Sequence, residues 1–441
     1  MIKNILNQPL ALPCGSEIPN RICKAAMTEG LADKYNMPTP ELNSLYKTWS
    51  KGGAGLLITG NVQVDRRYME RAGNVAIDGK QSQTQFEKLK EWAKSASING
   101  NHCWVQLGHA GRQTDARINK IGIAPSAIKS KNIAGQILMP SFTPKEISKK
   151  EIASICDKFA YAAEVCKHSG FSGIQIHSAH GYLLSSFLNP IANQRNDEYN
   201  GSIENRAKFL IQVIRQTRAA VGSNFPISVK INSSDFLKGG LSPKDSAKIA
   251  LLLDKEKIDL LELSGGSYEN LAIFRGKDVF SSDNVKEAYF LDSSKNILDA
   301  VKRTPIMLTG GIRSRSVMEK IILQKKIDII GIARPLCGMP NGVNLLLNNK
   351  IDILPKYEDQ IDYPFLLKWL KLFSFGRVMG KAAILLWCYQ NEIDLSKEKA
   401  SDIEGREMNI LKSIISMNRY ERRKALSLQG INCNGLIYNK N

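Results

Sequence analysis

Two histidines and a tyrosine follow a short apolar stretch near the middle of the chain. The sequence GIQIH, residues 173–177, ends at His177, and His180 and Tyr182 come directly behind it. The 441-residue chain has only five histidines, so two of them at one strand end suggest a shared pocket. Residues 189–206 follow and are rich in Asn, Asp and Arg. Because such side chains can hydrogen-bond to one another, we expect a structured connection there rather than a mobile cover.

The spacing of these residues alone leaves three interpretations open. Two histidines three positions apart can bind a metal ion, but no carboxylate or third histidine lies at ligand spacing, which argues against a metal. His177 and His180 could be ordinary loop residues, with Tyr182 as a packing aromatic. The third interpretation is that all three side chains point into one pocket, and this depends on the elements that carry them.

Eight short segments are apolar on both faces, as expected of parallel strands that helices cover. They are residues 22–27, 55–60, 102–107, 173–177, 226–231, 258–263, 305–310 and 328–333. Amphipathic helices are predicted between them, over residues 40–51, 81–98, 145–168, 203–221, 243–256, 284–303 and 314–325. Helix-entry signals mark three of the starts: Ser242 before Pro243, Thr143-Pro144 before Glu146, and Ser202 before Glu204.

This alternation predicts an α/β protein, a (β/α)8 TIM barrel. A short N-terminal hairpin is expected within the first twenty residues, and the long segment 108–144 predicts a capping insertion after the third strand. An open doubly wound sheet is the alternative, but no GxGxxG follows the first strand. We predict a barrel domain over residues 1–345, then a helical C-terminal extension and basic tail over residues 346–441.

The composition indicates an ordinary globular protein, with 43% hydrophobic and 23% charged residues. No secretory signal or long apolar run is evident, so we expect a cytoplasmic protein without a membrane span. The net charge is +19, but the basic residues are mixed with acidic ones along the chain, apart from a basic run at 419–424. This pattern does not predict nucleic-acid binding. The eight cysteines are scattered without a CxxC, which argues against an iron–sulfur or zinc site and predicts buried thiols. The sequence leaves the oligomeric state open.

A barrel places its functional groups at the carboxyl ends of its strands. The seventh and eighth strands end in Gly310-Gly311 and Ala333-Arg334, where small residues make backbone N–H groups accessible. Such adjacent loops, each leading toward a helix, form phosphate sites in many barrels, and Arg334 would add guanidinium donors. The alternative is that these glycines only form tight turns.

Several motifs together resemble the Old Yellow Enzyme family, the FMN-dependent NAD(P)H:flavin oxidoreductases and ene-reductases. They are NRICKAAMTEG (20–30), VQLGHAGRQ (105–113), HSAHGYLLSSFLNP (177–190), TGGIRSRS (309–316) and GIARPL (331–336). The similarity covers roughly residues 5–340, with the motifs in order along the expected strands. It implies the FMN-binding barrel fold and a ping-pong reaction with NADH or NADPH as the reductant.

The resemblance also assigns roles to single residues. The flavin ring would lie along Ala25, Ala26, Met27 and Thr28, with Gly60 leaving room for the ring and Gln106 and Lys230 at the pyrimidine portion. Lys230 departs from the arginine of many members, keeping the charge without the bidentate fork, and Ala26 replaces a common proline. The cofactor phosphate would lie on Gly310, Gly311, Ala333 and Arg334, in agreement with the argument from the loops.

His177 and His180 match the pair that binds the oxygen of an activated alkene, and Tyr182 matches the proton donor to its α-carbon. The expected substrate is a small enone, nitroalkene or quinone-like acceptor, which takes hydride from N5 of the reduced FMN. A non-catalytic flavin-binding barrel, or an NAD(P)H oxidase or quinone reductase without a dedicated alkene, are the alternatives. Larger relatives that reduce dienoyl-CoA carry a four-cysteine motif that this chain lacks.

Overall fold

The computed structural model describes residues 4–130, 140–266, 287–357, 361–362, 374–397, 408–409, 417, 419–421 and 423–428. Of residues 361–362, 374–383 and 408–409 it describes the backbone. Part of the predicted capping insertion, the start of the helix predicted at 284, most of the basic tail, and Trp369 and Phe373 of the extension lie outside the described residues.

The strands alternate with helices along most of the chain. In chain order the strands are β1 (Leu10–Ala11), β2 (Glu17–Ile18), β3 (Ile22–Lys24), β4 (Leu56–Ile58), β5 (Val62–Gln63), β6 (His102–Gly108), β7 (Ile123–Ala124), β8 (Lys145–Glu146), β9 (Gly173–Ser178), β10 (Ile227–Asn232), β11 (Leu260–Ser264), β12 (Ile306–Thr309), β13 (Ile329–Ile332), β14 (Ile361–Asp362) and β15 (Met408–Asn409). The α-helices are α1 (Pro40–Lys51), α2 (Gln83–Ser95), α3 (Lys149–His168), α4 (Leu183–Leu188), α5 (Ile203–Val221), α6 (Pro243–Lys255), α7 (Leu291–Ala300), α8 (Arg315–Gln324), α9 (Pro335–Gly338), α10 (Gly342–Leu347) and α11 (Ser374–Ser396).

Eight of these strands close into a parallel barrel. Their order is β3, β4, β6, β9, β10, β11, β12 and β13, and β13 pairs in parallel with β3 to complete the ring. All eight correspond to the strands predicted from the sequence, so the (β/α)8 fold is confirmed. The strand ends that the motifs follow therefore meet at one mouth.

The antiparallel hairpin of β1 and β2 was also predicted, and it seals one end of the barrel. Leu10, Leu12 and Ile18 of this hairpin share a buried cluster with side chains near the starts of the barrel strands, among them Leu56 and Leu260. Because this end is closed by apolar packing, the opposite end, where the strands terminate, is the one that can hold a ligand.

Two predicted helix starts are wrong. Residues 145–146 form β8 and pair with β7, and α3 begins only at Lys149. The reason is a capping box at Ser148, whose side chain accepts the Glu151 N–H while Glu151 accepts the Ser148 N–H. The helix predicted from 284 begins in the structure at Leu291.

The polar residues 189–206 form the structured connection expected from their composition. Asn189 Nδ2 donates to Asp235 Oδ2 at 2.7 Å, and Asn193 Nδ2 donates to two backbone carbonyls at 2.8 Å each. Arg195 pairs with Asp197 and also donates to the Pro125 and Ile147 carbonyls. These bonds hold the segment beside α4, which follows Tyr182.

The C-terminal extension packs directly on the barrel. Helix α11 lies against α1 and against α9, the short helix that follows β13. Farther along the chain, the Tyr420 hydroxyl donates to the Gly30 carbonyl at 2.9 Å. Within the described residues, no helix has both the length and the apolar character needed to cross a membrane.

Candidate active site

An open cleft lies at the mouth of the barrel where the predicted site residues converge. Its empty volume is about 1130 Å³, counting space that opens to solvent. Most of the predicted residues line it: Ala26, Met27, Thr28, Gln106, His177, His180, Tyr182, Lys230, Gly310, Gly311, Ala333 and Arg334. Ala25 and Gly60 do not line the cleft and lie behind its first layer.

The turn after β9 brings the two histidines and the tyrosine together. His177 is in β9, and His180 and Gly181 adopt φ angles of +61° and +81°, so the chain reverses sharply before Tyr182 and α4. The ring centroids of His177 and His180 are 5.2 Å apart, and those of His177 and Tyr182 are 4.8 Å apart. The third interpretation of the motif, one shared pocket, is therefore the correct one.

Both histidines are neutral hydrogen-bonding groups. Burial, together with repulsion from His180 and Lys230, holds the pKa of His177 well below its usual value. Burial and repulsion from Lys230 do the same for the pKa of His180. The Ala179 N–H donates to His177 Nδ1 at 3.2 Å, so the hydrogen of this ring is on Nε2. His180 Nε2 lies 2.9 Å from Ser264 Oγ, and when that hydroxyl donates, the ring hydrogen is on Nδ1. Each ring then has one N–H for a ligand.

Tyr182 contacts a buried carboxyl group that the sequence analysis did not identify. Its hydroxyl donates to Glu70 Oε1 at 2.5 Å, and Asn61 Nδ2 donates to Glu70 Oε2 at 2.7 Å. Glu70 follows β5, 112 positions before Tyr182, in a polar loop whose sequence resembles no motif that we recognised. Only the three-dimensional structure reveals this pair.

The floor of the cleft is a buried polar chain across neighbouring strands. In the parallel register Lys230 stands beside His177 on one side and Glu262 on the other. Lys230 Nζ is 2.9 Å from Glu262 Oε1, and both side chains are almost fully buried. Gln175 donates to Glu262 Oε2 at 2.8 Å and accepts from Gln106 Nε2 at 2.7 Å. Gln106 therefore has its carbonyl oxygen left to offer to a ligand.

The loop after β3 forms one side of the cleft and is held from behind. A Cβ atom on Gly60 would lie 2.3 Å from the Met27 carbonyl oxygen, so Gly60 permits close approach of this loop. Arg71 donates to the Thr28 carbonyl at 3.2 Å. Its guanidinium also stacks 4.0 Å from the centroid of Tyr389 and forms an ion pair with Glu421. The C-terminal extension thereby fixes the backbone that presents Thr28.

The opposite end of the cleft is lined by the two glycines to which the phosphate prediction points. Gly310 and Gly311 have φ angles of +149° and +72°, values that favour glycine, and they lie against the rings of Phe290 and Tyr289. The carboxylate of Glu287 accepts the N–H groups of Arg313 and Ser314 at 2.7 and 2.9 Å and so holds the turn that leads into α8. Since these two N–H groups already bond to Glu287, a ligand phosphate would bind at Gly310, Gly311, Ala333 and Arg334 instead.

Helix α11 closes another side of the cleft, which the sequence analysis did not anticipate. Leu385, Cys388, Tyr389 and Glu392 of this helix line the cleft. The Cys337 thiol joins the helix to the barrel, at 3.5 Å from Met27 Sδ and 3.6 Å from Glu392 Oε1. The sequence predicted a helical extension, but helical periodicity does not reveal which element a helix covers.

The distribution of hydrogen-bond donors and acceptors fits FMN. A hydroxyl at Thr28, an amide oxygen at Gln106 and an ammonium group at Lys230 surround the part of the cleft near the histidines, where a flavin ring needs polar partners. The glycine backbone and Arg334 at the other end suit a phosphate. Among the side chains described, no cluster of three or more His, Cys, Asp or Glu could hold a metal ion.

Comparisons with known proteins agree with this geometry. The model of the NADH:flavin oxidoreductase / NADH oxidase family matches residues 6–348. The NADH-dependent flavin oxidoreductase iliE of Hypocrea jecorina (strain QM6a) is 36% identical over 390 residues, covering 83% of this chain and 96% of that protein. The old yellow enzyme homologue from Zymomonas mobilis has a TM-score of 0.66 at 21% identity, covering 82% of this chain and 97% of its own. Morphinone reductase in complex with tetrahydroNAD has a TM-score of 0.64 at 21% identity, covering 80% of this chain and 92% of its own.

The two solved structures share the barrel fold, and the family model spans most of the chain, including every predicted site residue. The chain belongs to the NADH:flavin oxidoreductase / NADH oxidase family, the FMN-dependent oxidoreductases that use a nicotinamide as reductant.

Proposed function

We propose that this oxidoreductase reduces an activated C=C bond in a small enone, nitroalkene or quinone-like acceptor. The observation that carries the proposal is the group of His177, His180 and Tyr182, with ring centroids 4.8–5.2 Å apart beside Lys230 at one end of the cleft. Two neutral N–H donors and a phenol in one buried place suit an acceptor that develops negative charge on oxygen and needs a proton on carbon.

The proposed cofactor site extends from Thr28 to Arg334. Lys230 and the Gln106 carbonyl would hold the pyrimidine portion of FMN, and Gly310, Gly311, Ala333 and Arg334 would hold its phosphate. When bound, FMN would supply, from its N5, a hydride that it has taken from NADH or NADPH. The Lys230 ammonium, next to the buried Glu262, supplies positive charge where a reduced flavin would be anionic.

His177 and His180 are proposed to bind the carbonyl or nitro oxygen of the substrate. Since burial keeps both rings neutral, each donates without a permanent charge, and the hydrogen bonds strengthen as the oxygen becomes an enolate. A neutral pair also leaves the cleft able to bind uncharged substrates. Tyr182, adjacent to His177, would protonate the α-carbon after hydride transfer to the β-carbon.

The two half-reactions, measured separately under anaerobic conditions by stopped flow, test the proposal. Bleaching of the flavin by NADH or NADPH reports the first, and reoxidation by cyclohexenone, a nitroalkene or a quinone reports the second. We expect Tyr182→Phe to slow reoxidation by the enone roughly 10²–10⁴-fold while leaving reduction by the nicotinamide unchanged. Equal losses in both half-reactions would refute Tyr182 as the proton donor, and reoxidation by the quinone alone would favour a quinone reductase.

A further inference from the structure

We infer that Glu70 is a positioning residue whose carboxylate holds the Tyr182 hydroxyl in place for proton transfer to the substrate. The inference rests on the proposed reduction of a C=C bond. It adds a residue that neither the motifs nor the strand-end rule selected, because Glu70 lies in the loop after β5.

The contact between the two residues is short and enclosed. The Tyr182 oxygen lies 2.5 Å from Glu70 Oε1, the range of hydrogen bonds to an ionised carboxyl group. Glu70 has no exposed surface, and Tyr182 is 4% exposed. Burying a carboxyl group costs free energy unless its partners compensate. If this position served only to anchor a loop, a neutral amide side chain would be enough.

The other carboxyl oxygen is fixed as well. Asn61 Nδ2 donates to Glu70 Oε2 at 2.7 Å, and the Asn61 carbonyl oxygen accepts from Asn74 Nδ2 at 2.9 Å. Asn61 and Tyr182 both line the cleft. The Glu70 carboxyl group is therefore held in one orientation toward Tyr182, whose side chain lines the cleft.

Proton balance requires a route to Tyr182 in every turnover. Hydride adds two electrons and one hydrogen to the β-carbon, and the α-carbon takes one proton. That proton leaves Tyr182 as the O–H bond breaks and the C–H bond forms. The phenolate then takes a proton from water that enters when the product leaves, and the hydroxide returns to the solvent. The observed contact, with the hydroxyl donating to Glu70, corresponds to the pair after this transfer.

Glu70→Gln tests the positioning because glutamine keeps the shape but removes the charge from the hydrogen bond to Tyr182. We expect reoxidation by cyclohexenone to slow by roughly tenfold to a hundredfold. Reoxidation by ferricyanide, which forms no C–H bond, should be unchanged, and so should FMN content. Glu70→Asp, which keeps the charge, should recover part of the rate. Asn61→Ala, which loosens the carboxyl group, should also lower the rate.

A cyclohexenone reoxidation rate like that of the wild type in Glu70→Gln would overturn the inference. Equal losses with cyclohexenone and ferricyanide, or lost FMN, would also overturn it by assigning Glu70 a purely structural role. If the wild type reduces no alkene, the proposed function fails, and an ultraviolet difference titration still decides the coupling. With Tyr182→Phe as the reference, Glu70→Gln should let Tyr182 ionise at lower pH because a neighbouring negative charge is gone. An unchanged titration would refute the coupling.

Discussion

Glu392 should make the stability of this protein depend on pH, because its carboxyl group is buried in the wall that α11 contributes to the cleft. Its Oε1 lies 3.6 Å from the Cys337 thiol, and its Oε2 has no hydrogen-bond partner in the described part of the chain. Burial, and then repulsion from Glu29, raises the pKa of Glu392 to about 8, although Lys24, Arg71 and the thiol oppose the shift.

The direction of the effect follows from proton binding. The ordinary pKa of a glutamate is 4.5, so between about 4.5 and about 8 the folded protein holds a proton that the unfolded chain has lost. The free energy of unfolding is therefore highest below the unfolded pKa and falls as pH rises toward the folded pKa. At about 1.4 kcal/mol per pH unit, the full loss is roughly 5 kcal/mol, an upper bound because water entry or rearrangement would reduce it.

Glu392→Gln removes this titration while keeping the size of the side chain. We expect the variant and the wild type to unfold at similar urea concentrations near about pH 5, and the variant to be more stable near about pH 9, by up to roughly 5 kcal/mol. Tryptophan fluorescence at matched FMN saturation would follow the unfolding. Glu91→Gln, on an exposed position of α2, is the matched control and should follow the wild type. Stability curves of Glu392→Gln and wild type that stay parallel over this range would refute the argument.

Two further predictions concern the histidines and the floor of the cleft. Replacing His177 and His180 together by alanine should weaken the binding of a phenol, which mimics an enolate, by about 2–5 kcal/mol, followed by titration of the flavin absorbance. An unchanged affinity would contradict their role as oxygen ligands. Lys230→Met should destabilise the protein by about 3–5 kcal/mol, because it leaves the buried Glu262 without its cation, and adding Glu262→Gln should restore most of this. Strictly additive losses in thermal unfolding would contradict the ion pair.

Much of the fold could be predicted because barrel strands are marked locally. Each is a short run that is apolar on both faces, so the site residues at His177, Gly310 and Arg334 followed from the strand ends. The family resemblance supplied the others, from Met27 to Lys230. The start of α3 failed at Thr143-Pro144 because the capping box at Ser148 is the stronger helix signal. Thr143-Pro144 and Ser148 are both helix-entry signals, and the helix begins after the second one.

The carboxyl groups of the site could not be found in the same way. Glu70 meets Tyr182 across the barrel mouth, and Glu392 reaches the cleft through the packing of α11 on α1 and α9. Both contacts depend on tertiary structure alone. Glu262 does have a signal in the sequence: a charged residue inside an otherwise apolar strand needs a partner on a neighbouring strand, and the register supplies Lys230.

These three buried carboxyl groups each contact a side chain of the cleft or one that adjoins it. Glu70 contacts the proposed acid Tyr182, Glu262 pairs with Lys230, and Glu392 lies beside Cys337, which contacts Met27. Since Glu262 neutralises much of the Lys230 charge before any ligand binds, the positive field offered to a flavin belongs to the pair rather than to the lysine. An arginine at this position could span both Glu262 and a ligand with its planar fork, whereas the ammonium group must divide its attraction between them. A lysine in place of the arginine implied by the family resemblance is therefore expected to change how strongly the floor of the cleft favours negative charge on the ligand.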